Sequence, residues 1–291
     1  RYSEFLKNTL SKKKIKKKLK IVLDCANGAT YNIAPNLFWE LGHKVIAINK
    51  DPDGMNINKN CGSVDTSKLS KMVIQKKADI GFAFDGDGDR LIVVDEKGLE
   101  VDGDKIIGLF CKKFIKPKNK LNKFDVIITI MSNMGLEKYL KNKLKLRIKR
   151  TSVGDINVIN QMKKSNAMIG GEQSGHIIIS KYSNSGDGIL AALKICEIIC
   201  SSKSKASNIF NLYKDYSQEK IDLKYNKMNN KLLKTIDNLK KDRSLNNKNL
   251  RSLVRLSGTE PLVRILVEGL NKNKVKEKSI KIKNIIRSCL V

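Results

Sequence analysis

The chain has 291 residues, a length that suits two domains of roughly 150 residues or three smaller ones. With 41% hydrophobic and 30% charged residues, 19 glycines and 4 prolines, it is neither collagen-like nor extensively disordered. Lys and Arg outnumber Asp and Glu 58 to 29, a formal charge of +29 that invites a nucleic-acid partner; yet aromatics are only 5%, and the lysines run through the whole chain with Asn and Ile, so only nonspecific, salt-sensitive adhesion to nucleic acid is expected.

From Lys20 the sequence predicts strand KIVLDCANGAT, helix YNIAPNLFWELG stopped at Gly42, and strand HKVIAINKD, a βαβ unit. A second helix, TSKLSKMVIQKK, leads into short apolar runs ADIGFAF and LIVVDEKG on either side of a DGDGDR loop. A new stretch opens near Val101 with helix GDKIIGLFCKKFI, strand DVIITIMSN, helix MGLEKYLKN, strand RIKRTSV, helix DINVINQMKKSN, strand AMIGGEQSGHIII and helix DGILAALKICEIIC. Beyond Ser201 the composition turns Lys/Asn-rich to about Asn249, then come strands SLVRLSG and VRILVEG and a Lys-rich terminal helix. The fold class is therefore α/β: two successive layered α/β domains with largely parallel sheets, open to being copies of one architecture, and a smaller α+β C-terminal domain.

No apolar run approaches the roughly 18 residues of a membrane span. The first twenty residues hold no apolar leader core, so a cytoplasmic location and no membrane partner are expected. Six cysteines lack any CxxC pair and only two histidines occur, which argues against a zinc site or a disulfide framework. Cys196 and Cys200, four apart on an apolar helix, read as core packing. The chain opens on Arg1 and not on Met, so it is expected to be a piece of something longer or processed.

Three loops carry candidate chemistry. Asp85, Asp87 and Asp89 alternate with glycines, whose backbone freedom lets the loop curl and turn the carboxylates toward one point. Unit charges about 4 Å apart repel by roughly 4 kcal/mol at an effective dielectric near 20, so such a cluster calls for a cation. All-oxygen hard ligands in a tight loop favour Mg²⁺. An EF-hand is excluded because Arg90 stands where glycine is required and strands flank the loop; a solvated acidic turn is the plain alternative. The run Glu172, Gln173, Ser174, Gly175, His176 gathers donors and acceptors suited to the hydroxyls of a small polar ligand such as a sugar, or else is an ordinary polar turn. Arg255, Ser257, Gly258 and Thr259, with Arg264 on the next strand, can surround a phosphate with hydroxyls, backbone N–H groups and guanidinium forks, though chance placement of scarce arginines gives the same pattern.

Taken in order, DCANGAT, FDGDGDR, VDGD, SNMGLE, VGD, GEQSGH, GDG and RLSGTEP resemble the α-D-phosphohexomutases along essentially the entire chain, most closely the bacterial phosphoglucosamine mutases. The resemblance implies domains two, three and four of a four-domain enzyme, over residues 1–98, 99–212 and 213–291. It implies reversible conversion of glucosamine 6-phosphate to glucosamine 1-phosphate through glucosamine 1,6-bisphosphate, feeding amino-sugar and cell-wall precursors. Asp85, Asp87 and Asp89 would then hold Mg²⁺ against a phosphoserine that Arg90 supports. Glu172 and Ser174 would grip the sugar, Gln173 points to the glucosamine branch, and Arg255, Ser257, Gly258, Thr259 and Arg264 would bind the non-reacting phosphate. The resemblance allows a homodimer.

Two departures stand out. Ile156 and Asn157 follow Gly154-Asp155 where the family usually has an Arg-Tyr-like pair, and no serine loop of the S-A-S-H-N-P type occurs in the 291 residues. The serine domain is expected upstream of Arg1, in cis or supplied in trans, and the isolated chain is expected to bind ligands with negligible turnover. Two other readings stay open: a phosphomannomutase/phosphoglucomutase activity, and a catalytically dead basic remnant that binds nucleic acid.

Overall fold

A computed structural model describes residues 1–11, 17–115, 124–202, 204–226, 228–242, 249–257 and 260–290. The chain divides into two compact units, one of Arg1–Ser132 with Leu136–Tyr213, the other of Asn133–Gly135 with Lys214–Val291.

The first unit begins with helix α1 (Tyr2–Thr9), which buries Leu6 and Thr9 and is not announced by its polar sequence. Then follow β1 (Lys20–Asp24), α2 (Ile33–Glu40), β2 (Lys44–Ile48), α3 (Ser67–Gln75), β3 (Ile80–Phe84), β4 (Leu91–Asp95) and β5 (Glu100–Val101). They form a five-stranded sheet in the order β2-β1-β3-β4-β5. β3 and β4 are buried at every residue, which explains their uninterrupted apolar sequences: both faces are covered.

Next come α4 (Gly103–Phe114), β6 (Val126–Thr129), α5 (Met134–Lys138), β7 (Ile148–Thr151), α6 (Asp155–Ser165), β8 (Ile169–Gly171), β9 (Ile177–Ile179), α7 (Gly188–Cys200) and α8 (Ala206–Phe210). Their sheet runs β7-β6-β8-β9. The two sheets repeat one plan: a first strand flanked by two parallel neighbours, then an antiparallel hairpin, β3–β4 in one and β8–β9 in the other. Each is thus a parallel core with an antiparallel edge, which takes in β4 and β5 in the first sheet and β9 in the second. The run AMIGGEQSGHIII, expected as a single strand, is the second hairpin, because its polar middle turns the chain back on itself. One apolar core, including Phe38, Phe82, Phe110, Ile128 and Leu193, spans both sheets. Asp102 and Asp187 start α4 and α7 as N-caps, their carboxylates accepting from the N–H groups of Lys105 and Leu190.

In the second unit, β10 (Ser217–Lys224), β11 (Leu250–Leu256) and β12 (Leu262–Gly269) form an antiparallel sheet in the order β10-β12-β11. Helices α9 (Asn230–Lys241) and α10 (Lys272–Arg287) cover it and enclose Leu232, Ile236, Val263, Ile265, Val275 and Ile282. No described helix is long and apolar enough to cross a membrane.

Candidate functional site

The β3–β4 turn is the DGDGDR loop. One ligand oxygen from each of Asp85, Asp87 and Asp89 lies within 4.8 Å of the others, with Asp85 buried, Asp89 half-buried and Asp87 exposed. Gly88, at φ +79°, supplies the left-handed step that curls the loop. The Arg90 N–H donates to Asp85 Oδ1 at 3.1 Å, and its Nε lies 3.5 Å from Asp85 Oδ2 and 3.8 Å from Asp89 Oδ1. Burial pushes the Asp85 carboxyl above the usual range, and the neighbouring Asp89 charge adds to the rise. A single guanidinium faces three converging acids, so the donor set fits a hard divalent cation.

The β8–β9 turn, at the equivalent place in the second sheet, is GEQSGH, and it meets the acidic loop edge to edge. Arg90 and His176 form an antiparallel bridge, and Leu91 N–H donates to the Gly175 carbonyl at 3.0 Å. His176 is buried, its Nδ1 2.9 Å from Asp89 Oδ2, while its Nε2 accepts from the Gly186 N–H at 3.1 Å. Expected among the ligand-binding groups, His176 has both ring nitrogens engaged inside the protein. Gly188, the first residue of α7, donates its N–H to the Gly88 carbonyl at 2.9 Å. A Cβ at Gly188 would stand 2.5 Å from the Arg90 carbonyl oxygen, so only glycine allows this approach.

On the rest of the turn, Glu172 Oε1 accepts from the Gly154 N–H at 2.9 Å and Gln173 Nε2 donates to Asp102 Oδ2 at 3.0 Å. Ser174 is exposed. The VGD and VDGD motifs therefore serve as backing for the polar turn. Of the departures after VGD, Ile156 is 65% exposed and Asn157 Nδ2 donates to the Val153 carbonyl at 2.8 Å.

In the second unit, Arg255 and Arg264 are direct cross-strand partners of β11 and β12. Placing like charges opposite each other is unfavourable unless an anion is shared between them. Burial, then the Arg264 charge, lowers the Arg255 pKa. Arg264 is partly compensated by Glu260, 2.6 Å away, but the buried Nε atoms of both arginines find no hydrogen-bond partner among the described residues. Ser257 N–H donates to the Leu262 carbonyl at 2.8 Å; Gly258 and Thr259 lie outside the described residues.

Three consecutive family models match: phosphoglucomutase/phosphomannomutase alpha/beta/alpha domain II over residues 1–98, alpha/beta/alpha domain III over 102–216, and the C-terminal domain over 222–279. The chain belongs to the α-D-phosphohexomutases. Among their curated members, it is 43% identical over 279 residues to the phosphoglucosamine mutase of Campylobacter curvus, covering 96% of this chain and 62% of that protein. It is also 43% identical to that of Nautilia profundicola, covering 100% of this chain and 65% of the relative. The chain thus spans less than two thirds of these relatives' length.

Solved phosphohexomutase structures share the fold. A phosphoglucomutase/phosphomannomutase family protein from Burkholderia thailandensis superposes with a TM-score of 0.83 at 22% identity, over 99% of this chain and 63% of that one. Aspergillus fumigatus N-acetylphosphoglucosamine mutase, in complex with GlcNAc-6P and magnesium, gives 0.76 at 20% identity over 100% and 66%. Within this phosphohexomutase chain, residue patterns pick out the two hairpin turns but miss what holds them together. Gly186 and Gly188 stand out only as a GDG motif, and Asp102 and Gly154 only as members of VDGD and VGD.

Proposed function

We propose that this chain carries the metal, sugar and distal-phosphate loops of a phosphoglucosamine mutase, which interconverts glucosamine 6-phosphate and glucosamine 1-phosphate through glucosamine 1,6-bisphosphate. The observation that carries the reading is the meeting of the two hairpin turns, DGDGDR and GEQSGH, in a chain 43% identical to phosphoglucosamine mutases. The family organisation proposed is domains two to four, at 1–98, 99–212 and 213–291, in the cytoplasm.

In this reading Asp85, Asp87 and Asp89 hold Mg²⁺, which when bound offsets phosphate charge at the reacting centre. Arg90 lies beside the carboxylates, where its fork can take a phosphate oxygen. Glu172 and Ser174 accept and donate to sugar hydroxyls, with Gln173 at the amino-sugar side and Gly175 keeping the turn tight. Arg255 and Arg264, with Ser257, Gly258 and Thr259, bind the distal phosphate. The phosphoryl-carrying serine is assigned to none of the 291 residues.

Calorimetric titration with Mg²⁺ present tests the reading. Saturable binding of glucosamine 6-phosphate, at least tenfold tighter than mannose or glucose 6-phosphate, is expected, with no interconversion by the chain alone in ³¹P NMR. Tighter mannose or glucose phosphate binding overturns the sugar assignment, and substantial turnover by these 291 residues overturns the serine assignment. Steeply salt-dependent nucleic-acid binding with a sequence or structure preference would favour the basic-remnant reading, and equal, weak binding of every polyanion removes it.

A further inference from the structure

We infer that His176 is a positioning residue that presents the Asp89 carboxylate to the metal, an inference that rests on the metal reading above. His176 Nε2 accepts a hydrogen bond from the Gly186 N–H at 3.1 Å. A ring nitrogen that accepts must keep its lone pair, so the neutral imidazole carries its hydrogen on Nδ1. That nitrogen lies 2.9 Å from Asp89 Oδ2, within donating distance. The ring is buried at 3% exposure and its backbone is bridged to Arg90, so the donor is fixed in place.

Asp89 needs such a hold. Without a cation, Asp85 and Asp87 repel it, and its side chain is one third exposed, free to swing toward solvent. Arg90 Nε, at 3.8 Å from Oδ1, is too far for a hydrogen bond that would fix the carboxylate plane. Donation from the His176 ring across that 2.9 Å would occupy one lone pair of Oδ2 and leave the remaining acceptor sites for the cluster. Outer partners of this kind set ligand orientation in metal sites, and their loss typically weakens metal affinity by about 10–100-fold.

The other histidine supplies an internal control. His43 Nδ1 accepts from the Leu19 N–H at 3.2 Å, which demands the opposite tautomer, with hydrogen on Nε2. Long-range ¹H–¹⁵N NMR of the imidazoles should therefore show one ring of each tautomer, and Mg²⁺ should move the resonances of the Nδ1–H ring alone. Two Nε2–H rings would overturn the inference without any mutation.

Mn²⁺ titration followed by EPR, on the chain and on two variants, completes the test. His176→Asn places its amide N–H near the original Nδ1 and should bind within about threefold of the parent. His176→Gln places it near Nε2 and should bind at least tenfold more weakly, with melting temperatures of both metal-free variants reported alongside. Equal Mn²⁺ affinity in the parent and both variants overturns the inference, as does a loss of glucosamine 6-phosphate affinity with Mn²⁺ affinity intact, which would make His176 a direct ligand contact. Absence of Mn²⁺ binding by the parent chain removes the metal reading itself, and this inference with it.

Discussion

Replacing Gly188 by alanine sets two physical effects against each other. Gly188 opens α7 with an ordinary backbone angle, so on local grounds alanine should stabilise by about 0.4–1 kcal/mol, by restricting the unfolded chain. The new Cβ, however, would stand 2.5 Å from the Arg90 carbonyl oxygen and 2.9 Å from that of Gly88. Ordinary non-bonded separation is about 3.5 Å or more, so α7 or the acidic loop must retreat by roughly 1 Å. Both struck atoms are backbone, and neither can rotate away. Overpacking of this kind costs about 1–3 kcal/mol, which leaves a net loss of about 1–2 kcal/mol and a fall of about 2–8 °C in Tm for a unit of this size. The displaced carbonyls flank Asp89, so Mg²⁺ affinity should drop by about tenfold as well. Differential scanning calorimetry with and without Mg²⁺ measures both. An unchanged or raised Tm together with unchanged Mg²⁺ affinity would refute the claim that α7 seats the acidic loop.

Mg²⁺ at 100 times its Kd should stabilise the parent chain by about 2.7 kcal/mol, and Asp87→Asn or a chelator should erase that increment in thermal unfolding. Burial alone would raise the Glu137 pKa, but its hydrogen bond with Lys141 and the charge and hydrogen bond of Arg150, 2.8 Å away, outweigh it and lower the pKa. A lowered folded-state carboxylate pKa contributes stability above the ordinary value of about 4.3, and this is lost as pH falls through the lowered value. Glu137→Gln should therefore cost about 1–2 kcal/mol at pH 7, with the gap to the parent closing below about pH 4 in urea titrations; a constant gap would contradict this. Asn133 is buried, and its side chain donates to the Tyr216 carbonyl and accepts from the Tyr216 and Gly135 N–H groups at 3.0, 3.0 and 2.8 Å. Asn133→Ala should destabilise the second unit by about 2–3 kcal/mol, seen as a shifted urea midpoint. Arg255→Ala should weaken inorganic phosphate binding by about 10–100-fold, and Arg255→Lys should not restore it, because an ammonium lacks the fork.

The strands of the first unit are legible because burial on both faces writes them as continuous apolar runs, as in IGFAF and LIVVD. β10 is not: along SQEKIDLK only Leu223 is buried, polar and charged residues fill every other position but Ile221, and the segment reads as part of a Lys/Asn-rich stretch. α9 lies in the same stretch, its buried Leu232, Ile236 and Leu239 spaced at helical intervals but diluted by lysines. The acidic loop is legible because three carboxylates in five residues need a common cause. The role of His176 is not, since its 2.9 Å approach to Asp89 joins two hairpins that only the fold brings together.

The edge-to-edge meeting of those hairpins also bears on how the protein matures. A chain emerging from the ribosome completes its first sheet, with all three carboxylates, well before Gly175, His176 and Gly188 are made. Until then the acidic loop lacks the backbone and imidazole partners that steady it. A divalent cation held by the three carboxylates would therefore meet its complete setting only after both halves have folded against each other, and would act as a late clasp on the finished unit, not as a seed for its first half.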